Sequence, residues 1–132
     1  MERSRRIAPL VGIAACLLVL GVLAVPYALA DAATVRLYYD SGLLHPFVAG
    51  LLATISIVVF AAAREGRTDP ELAAGVTLTF GLFVVLLALA WALTVRVDVA
   101  GPELAEHRWA LVAVSLGVPG AAAWYARSLG LV

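Results

Sequence analysis

The residue types from which this chain could assemble a reactive site are few. His45 and His107 are its only histidines, and Asp40, Asp98, Glu103 and Glu106 fall near them at what reads as one common boundary. Imidazole and carboxylate suit zinc, but nothing specifies a site: there is no Cys or His cluster at ligand spacing and no H-E-x-x-H. Glu106-His107-Arg108-Trp109 reads more simply as an interfacial anchor, with Glu103 and His107 on one helix face at i, i+4. No G-x-S-x-G, P-loop or dinucleotide fingerprint occurs. No catalytic, cofactor-binding or metal residue is therefore named, no cofactor is expected, and the chain is not expected to be an enzyme.

The elements that must carry these residues are legible from charge alone. The 132 residues are 64% hydrophobic and 14% charged, against about 25% charged in soluble domains, which points to lipid as the main solvent. Nine basic residues, all arginine, balance nine acids, so no net field gathers nucleic acid. Residues 7–30, 42–63, 72–95 and 109–126 contain no charged side chain, and roughly 20 apolar residues suffice to cross a bilayer. The expected fold is an all-α integral membrane protein, a four-transmembrane-helix bundle forming one domain over 1–132. The fourth helix is expected to begin near Pro102 and to enter the membrane at Trp109. Between the second and third spans, Thr68 or Asp69 is placed to cap the next helix, with Pro70 at its start.

Arginine placement gives the orientation. Arg3, Arg5, Arg6, Arg64, Arg67 and Arg127 fall on one side of a four-span layout, and Arg36, Arg96 and Arg108 on the other, which puts both termini in the cytoplasm. Two processing alternatives compete with the first span. A basic start, an apolar run and the A-x-A of Ala28-Leu-Ala30 fit a cleaved signal peptide, although the apolar run exceeds the usual core of about 7 to 15 residues. Ile13-Ala-Ala-Cys16 fits a lipobox, but no polar tether follows, so a lone packed cysteine is the better reading.

In the interior of the spans, away from their boundaries, there is no Asp, Glu, Lys, Arg or His, which disfavours a pump or proton-coupled carrier. Thr54, Ser56, Thr77, Thr79 and Ser115 are expected to return their hydroxyls to the preceding turn of their own helices. Ala113, Gly117 and Ala121, Ala49 and Ala53, and Ala88 and Ala92 form small-xxx-small spacings that suit close helix packing, within the chain or with a second copy. Among the fourth span's larger residues Leu111 is expected to face outward. Pro119 removes the donor to the Ser115 carbonyl, so a bend is expected, a static one before a hinge. Residues 34–39 and 94–99 alternate and are rich in β-branched and aromatic types. They read as two short strands able to pair into a small extracellular ribbon that sets Arg36 near Asp98, with continuation of the third helix through 94–99 as the competing reading.

Val35-Arg-Leu-Tyr-Tyr39, Leu89-Ala-Trp-Ala-Leu-Thr-Val95, His107-Arg-Trp-Ala-Leu-Val112 and Ala123-Trp-Tyr-Ala-Arg127, in this order and spacing, resemble a family of small uncharacterised four-span membrane proteins of halophilic archaea. The resemblance covers nearly the whole chain and implies a multi-pass cell-membrane location with no known activity. Two function classes follow. One is a structural or accessory protein of the lipid bilayer, packing as a homo-oligomer or with a larger membrane-protein partner. The other is a small carrier or channel subunit, resting on Pro119, Gly120 and the few buried hydroxyls.

Overall fold

The computed structural model describes residues 2–96, 98, 104 and 106–132. Six helices account for most of them: α1 (Glu2–Leu29), α2 (Ala32–Asp40), α3 (Phe47–Arg64), α4 (Pro70–Thr94), α5 (His107–Ser115) and α6 (Gly117–Ser128). The last two run on as one bent rod, so four helices are long and apolar enough to cross a membrane: α1, α3, α4 and the His107–Ser128 pair. Around the bundle, α1 packs against α3, α3 against α4, and the α5–α6 rod against both α4 and α1.

The helices α3 and α4 turn many of their small residues inward and several of their large aliphatic ones outward. The buried face of α3 includes Ala49, Gly50, Ala53 and Ser56, and that of α4 includes Ala73, Ala74, Thr77, Gly81 and Ala88. Leu17, Leu18, Leu51, Val58, Leu86 and Leu93 are exposed. In a solvent as apolar as the side chains, packing rather than hydrophobic transfer holds helices together, and small residues let the backbones come close enough for it. At Gly81 the close neighbour is backbone: a Cβ there would stand 2.7 Å from the Pro119 nitrogen and 2.9 Å from its Cα. The rod is interrupted at Leu116, three residues before Pro119, and Pro119 is buried with its backbone seated on Gly81.

The five hydroxyls singled out in the sequence are bonded as their position suggests. Thr54 donates to the Gly50 carbonyl (2.9 Å), Ser56 to Leu52 (2.9 Å), Thr77 to Ala73 (2.8 Å), Thr79 to Gly75 (2.9 Å) and Ser115 to Val112 (2.7 Å). At the turn before α4, Asp69 accepts from the Glu71 N–H (3.2 Å) and Pro70 opens the helix. At the end of α3, Gly66 takes φ +73° so that the Arg67 N–H can return to the Ala62 carbonyl (2.8 Å).

Two expectations are corrected. Residues 34–39 are helical, within α2, and no strand occurs among the described residues. Asp31 sits at the N-cap and accepts from the Thr34 N–H (3.2 Å), and the Thr34 side chain together with that N–H holds its carboxyl below the usual range. Val35, Tyr38 and Tyr39, at i, i+3 and i+4, then share one buried face. Of the second supposed strand, Thr94 ends α4, Val95 is extended, and Asp98 is paired with Arg96 at 3.0 Å, while Val97 and Val99 lie outside the described residues, as do Gly101, Pro102 and Glu103. The fourth-span face is also turned from the expected one. Leu111 is fully buried and Ala113 exposed, although Ala121 is buried and a Cβ on Gly117 would lie 3.1 Å from the Ala15 Cβ.

Gly81→Ala forces a methyl group onto proline backbone and is expected to cost about 1–3 kcal/mol in reversible unfolding in detergent. Gly75 has nothing within 4 Å of its would-be Cβ, so Gly75→Ala is expected to be neutral or to stabilise by up to about 1 kcal/mol through helix propensity. Equal effects of the two would refute the Gly81–Pro119 contact.

Candidate functional site

The most elaborate side-chain chemistry lies where α2 covers the end of the bundle, and it begins with a missing proton. Pro26 has no N–H, and its ring crowds the Val22 carbonyl four residues earlier, which is left without a helical donor. The His107 Nε2–H, at the start of α5, donates to that carbonyl. Because a carbonyl only accepts, this contact assigns the ring proton to Nε2 and makes Nδ1 of the neutral ring an acceptor. The Tyr38 hydroxyl donates to Nδ1 at 3.0 Å, with the Leu104 carbonyl 3.3 Å away as its other acceptor. One turn of α1 is thus tied through His107 to α2.

Tyr39 adds a second tie, its hydroxyl donating to the Leu23 carbonyl. Both phenols are buried, and burial pushes both well above the ordinary tyrosine value. For Tyr38 the charge of Arg108 pulls back in part, and for Tyr39 the neighbouring phenols of Tyr38 and Tyr27 push further. The two hydroxyls therefore remain neutral donors. Trp91 closes the cluster, edge-on to Tyr38 with centroids 5.1 Å apart and tilted against Tyr39 at 5.5 Å.

The end of α4 is sealed by the same neighbourhood. Its Ala92 carbonyl accepts from Arg108 Nη1 (3.1 Å), and the Arg108 guanidinium lies 5.1 Å from the centre of the Trp109 ring. Thr94 Oγ1 donates to the Ala90 carbonyl (2.7 Å) and accepts from the Leu43 N–H (2.8 Å). Ser41 Oγ donates to the Tyr38 carbonyl (2.8 Å) and accepts from the Arg96 N–H (2.9 Å). Gly42 lies against the indole edge, where a Cβ would come within 2.7 Å of Trp91 Cδ1. Trp91 Nε1 and Arg108 Nε are the buried side-chain atoms left without a partner among the described residues.

His45 and His107 are kept apart. His45 Nε2 pairs with Asp40 at 3.3 Å while its Nδ1 accepts from the Phe47 N–H (3.1 Å), and the Tyr39 ring stands between the two imidazoles, 5.7 Å from one and 6.1 Å from the other. Of the carboxylates noted in the sequence, Asp98 goes to Arg96, Glu106 is exposed and Glu103 lies outside the described residues. His107 is thus no surface anchor, being 7% exposed, and Arg108 with Trp109 takes that part. Sequence reasoning passed over Tyr38, Trp91 and the Val22 carbonyl. The available signal was Pro26, whose position identifies a backbone acceptor that some other element has to satisfy.

The sequence model of a family of unknown function (DUF7548) matches residues 1–130. The chain belongs to this family. No curated protein and no solved structure matches it. For a DUF7548 member, then, chemistry has to be argued from geometry. Here the imidazole has a carbonyl on one nitrogen and a phenol on the other, with aromatic rings of Tyr38, Tyr39 and Trp91 around it. Both of its hydrogen-bonding positions are occupied by the protein itself, an arrangement suited to fastening α2 rather than to attacking a substrate.

His107→Leu removes the donor to Val22 and the acceptor for Tyr38, and is expected to lower stability by about 1–3 kcal/mol. Pro26→Ala gives residue 26 an N–H for the same carbonyl and is expected to recover part of that loss when combined with His107→Leu. Val11→Ala, on an exposed position of the same helix, is expected to recover nothing. Strictly additive effects of the Pro26 and His107 changes in unfolding titrations would break the link between them.

Proposed function

We propose that this protein is a multi-pass protein of the cell membrane, with both termini cytoplasmic and a structural or accessory role exercised by packing with itself or with a larger membrane partner. The observation that carries the reading is that Thr54, Ser56, Thr77, Thr79 and Ser115 all direct their hydroxyls to carbonyls of their own helices. A pathway for a polar solute needs such groups turned toward it. The aliphatic exterior supports lipid as the surrounding medium. The gathering of Arg5, Arg6 and Arg64 at one end, where Arg5 Nε donates to the Ser128 carbonyl and Arg64 Nε to the Arg6 carbonyl, supports that end as the cytoplasmic one. The likeness to four-span proteins of halophilic archaea belongs to the same proposal. The carrier or channel alternative draws less support, because Pro119 is packed against Gly81 and its bend is filled.

Two measurements test this. In sealed cells carrying Cys16→Ser, an impermeant thiol reagent is expected to label Leu43→Cys and to label Thr68→Cys only after lysis; labelling of Thr68→Cys from outside would reverse the orientation. Crosslinking in native membranes is expected to join the chain to a second copy or a larger membrane protein. A closed ring of copies that conducts ions would favour the channel reading instead.

A further inference from the structure

At the arginine-rich end, the start of α1 and the end of α6 border an open cavity of about 350 Å³ lined by Ser4, Trp124, Arg127 and Ser128. Arg5, next to Ser4 in the chain, donates from Nε to the carbonyl of Ser128 (3.2 Å), which sets a second guanidinium beside that lining residue. The ion pairs among the described residues are His45–Asp40, Arg67–Glu65 and Arg96–Asp98, so neither Arg5 nor Arg127 is neutralised by a carboxylate there. Ser128 turns its hydroxyl inward to the Tyr125 carbonyl (2.7 Å), whereas Ser4 donates to no group among the described residues. Trp124 lies three residues before Arg127 on α6, about 4.5 Å deeper along the helix. The cavity therefore has a cationic rim with one available hydroxyl, and an aromatic wall beneath it.

We propose that this cavity binds the phosphate-bearing headgroup of an anionic membrane lipid. Arg127 and Arg5 clamp the phosphate, Ser4 donates a further hydrogen bond, and the first methylenes of the acyl chain run along the Trp124 ring. The guanidinium fork matches phosphate oxygens in pairs. A basic pocket between helices at the cytoplasmic side has the geometry that anionic headgroups occupy. A soluble phosphate compound would leave the tryptophan wall without a role. The inference rests on the reading of the chain as a membrane-spanning protein.

The test uses the full-length protein, delipidated in an uncharged detergent and titrated with phosphatidylglycerol or phosphatidylcholine, with bound lipid counted by native mass spectrometry. Phosphatidylglycerol is expected to be retained in preference to phosphatidylcholine, with Arg127→Gln weakening its retention roughly fivefold. Arg67→Gln, which alters an arginine paired with Glu65 outside the cavity, is expected to leave retention unchanged. Thermal unfolding of each variant guards against a folding defect, and Trp124→Leu, which keeps every charge, is expected to weaken retention as well. Equal retention by the unchanged protein and Arg127→Gln, equal retention of the two lipids, or displacement by inorganic phosphate alone would each overturn the lipid site. Resistance of the chain to alkaline extraction from vesicles is scored separately, so that a failure of membrane insertion is distinguished from a failure of lipid selectivity.

Discussion

A carbonyl that its own helix cannot satisfy has no water to turn to once it is buried, and the capped end of this protein is organised around two such groups. One is created by Pro26, which leaves the Val22 oxygen without a donor, and the other by the end of α4, which leaves the Ala92 oxygen in the same position. The donors that meet them are consecutive residues. His107 reaches Val22 on α1 and Arg108 reaches Ala92 on α4, so the first turn of α5 is stitched to both neighbouring helices. Remove either carbonyl's need and the opposing donor becomes a buried polar group without a partner, which is why the arrangement is reciprocal.

The placement of α2 follows from this stitch. With its ring proton on Nε2, His107 offers Nδ1 to the Tyr38 hydroxyl, and the adjacent Tyr39 hydroxyl finds the Leu23 carbonyl one residue along the same distorted turn of α1. A nine-residue helix too short to be stable by itself is thereby held through two hydroxyls, its Asp31 cap and the apolar face it buries against Trp91. The opposite end is built differently. There the helix ends are closed locally, by Asp69, Pro70 and Gly66, and the arginines that reach across, Arg5 and Arg64, do so from exposed positions and keep their charge at the surface. One end is thus tied by the buried groups of His107, Tyr38 and Tyr39 together with the Arg108 guanidinium, and the other by cations at the surface.

What could be read in the sequence was whatever depends on neighbours along one helix. Uncharged length located the four long helices, Asp69-Pro70 located a helix start, and the i−4 and i−3 carbonyls accounted for the span hydroxyls. α2 was misread because Thr34 to Tyr39 combines strand-forming residue types with a helical spacing of Val35, Tyr38 and Tyr39; a partner surface decides between them, and Asp31 was the local clue. Leu111 was placed on the wrong face because the small residues Ala113 and Gly117 were taken to mark the packed stripe, whereas the buried face runs through Leu111, Ser115, Val118, Ala122 and Tyr125. The role of His107 was hidden for a different reason: its acceptor, Val22, is 85 residues away and is a backbone atom, which residue types and spacing do not display.

The account stands or falls on the proton of His107. In bilayers containing the full-length protein labelled with ¹⁵N at histidine and ¹³C at the valine carbonyl, magic-angle-spinning NMR distinguishes which imidazole nitrogen is protonated and which carbonyl it faces. The structure requires protonation at Nε2 with a through-space contact to the Val22 carbonyl carbon, and Nδ1 as an unprotonated acceptor. A neutral ring protonated at Nδ1, or an Nε2–H with no contact to Val22, would contradict it.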